Sequence, residues 1–208
     1  MRLRSAHVRH PLAAILAGIL LLATSSAALA GRPDTVDPAS ITPELNPTFT
    51  WECWRTGNNT ICEGERLTTY EAVEAIPRAD GWIYASGAAH ESLRRVGDAD
   101  GRALYTIGTV HIHDLMSRSP DFDGVIGRAN AAWSDYYEYV IPGDLDSRIT
   151  TRRGADLVFT VPGVGMVVLD AGVKAWNIED TILLDRGRHD FVDDIEGAAE
   201  RACEALAS

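Results

Sequence analysis

Apolar and polar residues alternate along most of the chain after Pro47, and this period of two predicts β-strands. Turn-forming residues separate the alternating runs, and Pro162–Gly165 between FTV and MVVLD is the clearest turn. Leu67–Ile76 also has the Glu and Ala content of a helix, so its type stays open. The predicted strands are Thr50–Arg55, Thr60–Glu65, Leu67–Ile76, Trp82–Ser86, Ala89–Val96, Ala103–Leu115, Gly127–Val140, Arg148–Val161, Met166–Trp176 and Thr181–Leu184.

The short connections between these runs favour antiparallel neighbours, because a parallel pair needs a long crossover. The fold class predicted is therefore all-β, an antiparallel meander of about eight to ten strands, with a closed barrel favoured over a sandwich. The end of the chain has a different period. Its apolar residues recur at helical spacing and predict one C-terminal α-helix over 190–206, with Asp190 as its N-cap.

The first 30 residues have the features of a signal peptide. Three arginines precede an apolar run from Leu12 to about Ala23, and Ala28-Leu29-Ala30 resembles a cleavage site. The run is shorter than the roughly 20 residues that span a bilayer. We expect export to the extracellular space or the cell envelope, removal of residues 1–30, an irregular proline-rich leader over 31–47, and a single domain over 48–208.

The charge of the chain limits its partners. The formal net charge is −11, and loss of the three N-terminal arginines would leave −14. Such a protein repels phosphate backbones and anionic lipid headgroups. Nucleic acid and anionic membrane surfaces are therefore not expected as partners, whereas a small-molecule ligand is.

Three cysteines are compatible with an oxidising compartment. Cys53 and Cys62 flank the turn-forming tetrapeptide Thr56–Asn59, so we predict a disulfide across a hairpin. It should stabilise the fold by roughly 2.5–3 kcal/mol on the chain-entropy model. Cys203 remains unpaired. Its helical context favours burial in a monomer, and an exposed thiol could instead link a dimer.

His111 and His113 in GTVHIHDL would lie on the same face of a strand, because side chains two residues apart point the same way. The even-numbered side of this strand has the character of the core, which places both histidines on the other side. Two imidazoles could bind zinc or copper and support metal-assisted hydrolysis, but a catalytic zinc usually has three protein ligands. His90, His189 and Asp114 qualify by residue type alone. The sequence therefore favours the absence of a cofactor.

A second constellation, Trp133, Asp135, Tyr137 and Tyr139, occupies alternate positions of one strand. Inside a barrel, these rings could contact a small, partly apolar ligand, and Asp135 could orient it. Packing of the rings against neighbouring strands is the alternative. The chain has no GxSxG motif. We therefore expect non-catalytic ligand binding, with metal-assisted hydrolysis and a surface or cell-envelope interaction protein as the two alternatives.

Several segments together resemble a group of proteins. They are Cys53 and Cys62 in a first hairpin, DGWIYASG, DADGRALY, IGTVHIHD, PGVGMVVLDAG and the terminal RACEAL. The pattern resembles uncharacterised exported β-rich proteins of high-GC, actinobacteria-like bacteria, over about Thr50 to Leu206. That resemblance implies no assigned activity. It also implies a further cysteine near Ala85-Ser86 that could pair with the terminal one, and its absence here leaves Cys203 single.

Overall fold

The computed structural model describes residues 34–78 and 81–207. The predicted signal peptide and residues 31–33 lie outside these ranges. Within them, no helix is long and apolar enough to cross a membrane. The strands are β1 Thr50–Thr56, β2 Asn59–Arg78, β3 Gly81–Gly97, β4 Ala103–Ser117, β5 Gly127–Tyr139, β6 Arg148–Val161, β7 Gly165–Asn177 and β8 Ile182–His189. The α-helices are α1 Asp190–Asp193 and α2 Ile195–Ala207.

Each strand pairs antiparallel with its neighbours in the chain, and the sheet order is β1 to β8. The predicted all-β meander with a C-terminal helix is thus confirmed. The ten predicted runs become eight strands because two pairs of runs are continuous. Leu67–Ile76 belongs to β2, despite a register shift between Tyr70 and Val73, and Trp82–Ser86 continues into Ala89–Val96 as β3.

The sheet is not closed into a barrel, and no pairing between β1 and β8 occurs among the described residues. The free edge of β1 is instead covered by residues before the first strand. The Val36 amide donates to the Cys53 carbonyl (3.0 Å), and the Arg55 amide donates to the Asp34 carbonyl (2.9 Å). These bonds occupy backbone groups of Cys53 and Arg55 on the edge that pairing with β8 would use.

The two faces of the sheet differ in environment. The register puts the even-numbered residues of β4 and the odd-numbered residues of β5 on one side, which we call the inner face. This side holds the buried residues, as predicted for β4, and the opposite side is the outer face. At one end of the inner face, α2 covers an apolar cluster that we call the helix-covered core. Its members are Ile76, Ile83, Ala85, Met116, Ala129, Phe159, Val161, Val168, Ala198, Ala199, Ala202, Ala205 and Leu206.

The helix-covered core requires the sheet to curl. Helix α2 contacts β2, β6 and β7. In a flat sheet, β2 and β7 would be about 24 Å apart, which exceeds the roughly 20 Å axis of a 13-residue helix. Gly172 and Gly187 lie opposite each other on β7 and β8. A Cβ on Gly172 would collide with the Arg186 carbonyl oxygen, so a side chain could not fit there.

The C-terminal helix is broken, unlike the single helix predicted. Asp194 separates α1 from α2, and its carboxylate accepts the Gly197 amide at 3.0 Å. The prediction that Asp190 caps the helix is wrong, because its carboxylate accepts the Leu169 amide (3.1 Å) and pairs with Arg188. Cys203 is a free thiol, half-buried against the helix-covered core.

The opposite end of the inner face is covered by the described part of the predicted leader. This segment is mostly irregular, with one turn of 3-10 helix at Pro38–Ser40. Ile41 and Leu45 are buried against the Cys53–Cys62 disulfide, which joins directly opposed residues of β1 and β2. The predicted disulfide is therefore present. It is compatible with an extracellular location.

Candidate functional site

The four residues predicted to contact a ligand lie together on the inner face of β5. Trp133, Asp135, Tyr137 and Tyr139 occupy its odd-numbered positions, between the helix-covered core and the leader. Asp135 and Tyr139 are buried, whereas Trp133 and Tyr137 are half-buried. Solvent therefore reaches two of the rings, although both ends of the face are covered.

Asp135 is the centre of a hydrogen-bond network. Trp133 Nε1 donates to its Oδ2 at 3.2 Å, and the Tyr137 hydroxyl donates to the same oxygen at 3.0 Å. Arg152 adds two charge-assisted bonds, from Nε to Oδ1 (2.7 Å) and from Nη2 to Oδ2 (2.9 Å). The chain itself thus supplies four donors to this carboxylate. In this arrangement Asp135 orients the surrounding side chains, and direct contact with a ligand stays a prediction for it.

Arg152 forms a stack with two indole rings. Its Cζ lies 4.8 Å from the centroid of Trp133 and 5.8 Å from that of Trp176. Burial lowers the pKa of Arg152, but the hydrogen bonds and charge of Asp135 outweigh this effect, and the net direction is upward. Burial, followed by the Asp135 charge, raises the pKa of Tyr137, so its hydroxyl stays a donor. The result is a surface formed by aromatic rings and a guanidinium.

Further charged groups extend this surface across β6, β7 and β8. His189 Nδ1 lies 2.9 Å from Asp170 Oδ1, and its Nε2 lies 3.0 Å from Asp185 Oδ1. Lys174 Nζ lies 3.8 Å from Asp185 Oδ2. We name the inner-face groups the charged rows: Asp135, Arg152, Asp156, Asp170, Lys174, Asp185 and His189. Asp170 and Lys174 were not singled out from the sequence, although an acid directly after MVVL was a signal of a polar group at an inward position.

Asp156 is the least compensated member of the charged rows. Its Oδ1 lies 3.5 Å from Arg152 Nη1, and this buried oxygen accepts no hydrogen bond. Burial raises the pKa of its carboxyl, Arg152 opposes this, and the charges of Asp170 and Asp135 add to the rise. An open cleft of about 650 Å³ lies beside the charged rows, where His189, Asp190 and Arg201 form part of its wall.

His111 and His113 lie on the outer face and are exposed, away from the charged rows. His90 is directly opposite His111 on β3, and His113 Nδ1 is 2.8 Å from Asn130 Oδ1. Asp114 points to the inner face, where it accepts the Tyr70 hydroxyl at 2.6 Å, so it cannot join them. The described residues contain no group of three or more metal-ligating side chains arranged to hold an ion. The proposal of zinc or copper hydrolysis gains no support from this geometry.

Comparison with known proteins adds no family to this description. No protein-family model, curated protein or solved structure matches the chain. The resemblance to exported β-rich proteins therefore stays an expectation.

Proposed function

We propose that the protein is exported and binds a small, partly apolar ligand on its inner face without transforming it. Trp133, Tyr137 and Tyr139 would form the wall, joined by Trp176 and Arg152. The observation that carries the proposal is the partial exposure of Trp133, Tyr137 and Trp176 on a face whose two ends are covered. Aromatic side chains with this exposure offer ring faces to a ligand at a recessed position.

The contacts that hold these side chains in place support binding. Trp133 and Tyr137 are both tied to Asp135, and Arg152 is held between two indoles. Little side-chain entropy is lost when a ligand contacts groups that are already fixed. Because Asp135 neutralises Arg152, the stack carries little net charge and suits an apolar ring system.

Phenylnaphthylamine, an uncharged dye that fluoresces in apolar surroundings, tests this proposal. We expect saturable binding and energy transfer from tryptophan to the dye. Trp133→Leu should weaken binding by about tenfold, because a large ring contact is lost. Trp54→Leu on the outer side of β1 is the matched control and should change affinity less than about twofold.

Two results would overturn the proposal. One is the absence of saturable binding to the folded wild type. The other is an equal loss of affinity in Trp133→Leu and Trp54→Leu. Because Trp133 also bonds Asp135, Trp176→Leu serves as a second wall variant, and thermal unfolding of each variant shows that the fold is retained.

A surface interaction protein is a second candidate, favoured by exposed apolar side chains at one end of the sheet. The β5–β6 and β7–β8 connections lie at the same end, because the strands alternate in direction. The exposed side chains there are Val140, Ile141, Leu145, Ile178, Ile182 and Leu183. If these loops bind a surface, Ile141→Ser with Leu183→Ser should abolish cosedimentation with uncharged phosphatidylcholine vesicles and leave dye binding unchanged. A wild type that does not cosediment would remove this candidate.

A further inference from the structure

Arg148 is a cation without a carboxylate partner on the inner face. It is half-buried, and its Nε is fully buried without a hydrogen bond. Its guanidinium lies over Tyr137, with Cζ 5.4 Å from the ring centroid. Within the part of the chain that the structure describes, no Asp or Glu oxygen pairs with it. Removing a guanidinium from water raises the free energy of the folded protein unless a negatively charged group lies beside it.

Arg95, a second arginine of the inner face, also has no carboxylate partner. It donates from Nε to Thr106 Oγ1 at 3.3 Å and from Nη1 to the Pro43 carbonyl, and both acceptors are uncharged. Burial lowers the pKa of its guanidinium, which reflects the cost of a charge with no acid beside it. No ion pair involves Arg95 among residues 34–78 and 81–207.

The two arginines flank the tyrosines of β5. Arg148 is directly opposite Tyr139 in the register, and its guanidinium lies over Tyr137. Arg95 donates to Thr106, which is directly opposite Tyr137 in the register, so Arg95 lies on the other side of the same tyrosines. The Tyr139 hydroxyl makes no hydrogen bond to any described residue. The unpartnered Arg148 and Tyr139 therefore lie on the same stretch of the inner face as Arg95, at the end that the leader covers.

Other arginines of the sheet do have carboxylate partners. Arg66 pairs with Glu91 at 2.6 Å, Arg152 with Asp135 at 2.7 Å, and Arg188 with Asp190 at 2.6 Å. With a net charge of −11, the chain has ample acids to pair its bases. Two half-buried guanidiniums without an acid therefore mark a place where negative charge is missing.

We propose that Arg148, helped by Tyr139 and Arg95, binds the anionic group of the ligand, a carboxylate or a group of similar charge. This inference rests on the proposed function, because the apolar part of the same molecule would lie against Trp133 and Tyr137. The ligand class is then an amphipathic organic anion. Bidentate guanidinium contacts and a phenol donor are well suited to a carboxylate or sulfonate.

A pair of dyes isolates the anionic group. Anilinonaphthalene sulfonate and phenylnaphthylamine share their ring system and differ in the sulfonate. Arg148→Met should weaken binding of the sulfonate dye by about tenfold, the expected effect of losing a charge-assisted contact. It should change the affinity for the neutral dye by less than about twofold. Arg153→Met, on the same strand but on the outer face, is the matched control and should alter neither affinity.

The outcomes separate the two proposals. If neither dye binds the folded wild type, the proposed function itself fails. If the neutral dye binds and depends on Trp133, but Arg148→Met affects both dyes equally or neither, only the anionic site fails. Arg148→Lys provides a second variant if Arg148→Met does not unfold cooperatively. Lysine keeps the positive charge but lacks the two parallel N–H donors of the guanidinium. A loss of affinity for the sulfonate dye alone, smaller than that of Arg148→Met, would support the site.

Discussion

The helix-covered core and the charged rows lie on the same inner face, yet they are stabilised in different ways. In the core, α2 covers the apolar side chains, and Phe159 is only 1% exposed. The charged rows are contacted by the short helix α1, whose Val192 amide donates to Asp170. Their buried polar side chains pair with specific partners, Asp135 with Arg152 and His189 with Asp170. Apolar packing is insensitive to the exact partner, whereas each buried charge depends on a specific one. The first region should therefore determine stability, and the second should determine recognition.

The largest expected effect is in the helix-covered core. Phe159→Ala should lower the free energy of unfolding by about 3–5 kcal/mol, because it removes a buried ring and leaves a cavity. The ring of Phe159 packs closely over Gly127, so few neighbours can move into the space. Denaturant unfolding measures the change. A loss below about 1 kcal/mol would show that the core does not govern stability.

Asp135→Asn tests the charged rows at their most connected member. It should lower the free energy of unfolding by about 2–3 kcal/mol, because Arg152 stays partly buried but loses its counter-charge. The side chain of Arg152 is 31% exposed, and solvent screening keeps the loss below that of a fully buried pair. Asp121→Asn in an exposed loop is the control. An equal result for both aspartates, measured by denaturant unfolding, would contradict the assigned role of Asp135.

Asp170→Asn should lower the free energy of unfolding by a smaller amount, about 1–2 kcal/mol. The carboxylate of Asp170 accepts the Val192 amide at 3.0 Å and pairs with His189 Nδ1 at 2.9 Å. An amide has one acceptor oxygen, so one of these contacts loses its partner. Thermal unfolding should show a lower midpoint, and an unchanged midpoint would mean that the His189 contact adds nothing.

Asp156→Asn should stabilise the protein at neutral pH, although the gain is the smallest of the four. Burial raises the pKa of Asp156 above its ordinary 3.8, so the folded state binds this proton more tightly than the unfolded state does. Stability of the wild type therefore falls as pH rises through the interval above 3.8. The advantage of Asp156→Asn should be present at pH 7 and vanish below 3.8 in thermal unfolding series. An advantage that persists in acid would have another cause.

The alternation of apolar and polar residues predicted which side chains of one strand share a face. It did not predict which side chains of neighbouring strands are in contact. Trp133, Asp135 and Tyr137 were found together because a period of two suffices to place them. Arg152 was not, because its position opposite Asp135 depends on a register shift between Asn130 and Ala132. A slip of one residue would put Arg152 on the other face, and no local pattern reveals such a bulge.

Whether the sheet closes into a barrel also could not be predicted from local sequence patterns. A barrel was favoured because a meander of this length can close, yet the backbone of residues 34–36 occupies the edge that closure requires. This segment was expected to be irregular, which its prolines predict, but irregular backbone can still pair with an edge strand. The disulfide was predictable because its two cysteines are close in sequence and opposed across one tight hairpin.

Helix α2 follows β8 in the chain, which has a consequence for the order in which the protein is made. An exported chain emerges with its N-terminus first, so all eight strands are outside before Ile195–Ala207. Successive hairpins can then pair while the apolar side chains of the helix-covered core are still exposed to solvent. Docking of α2 is the step that removes them from water.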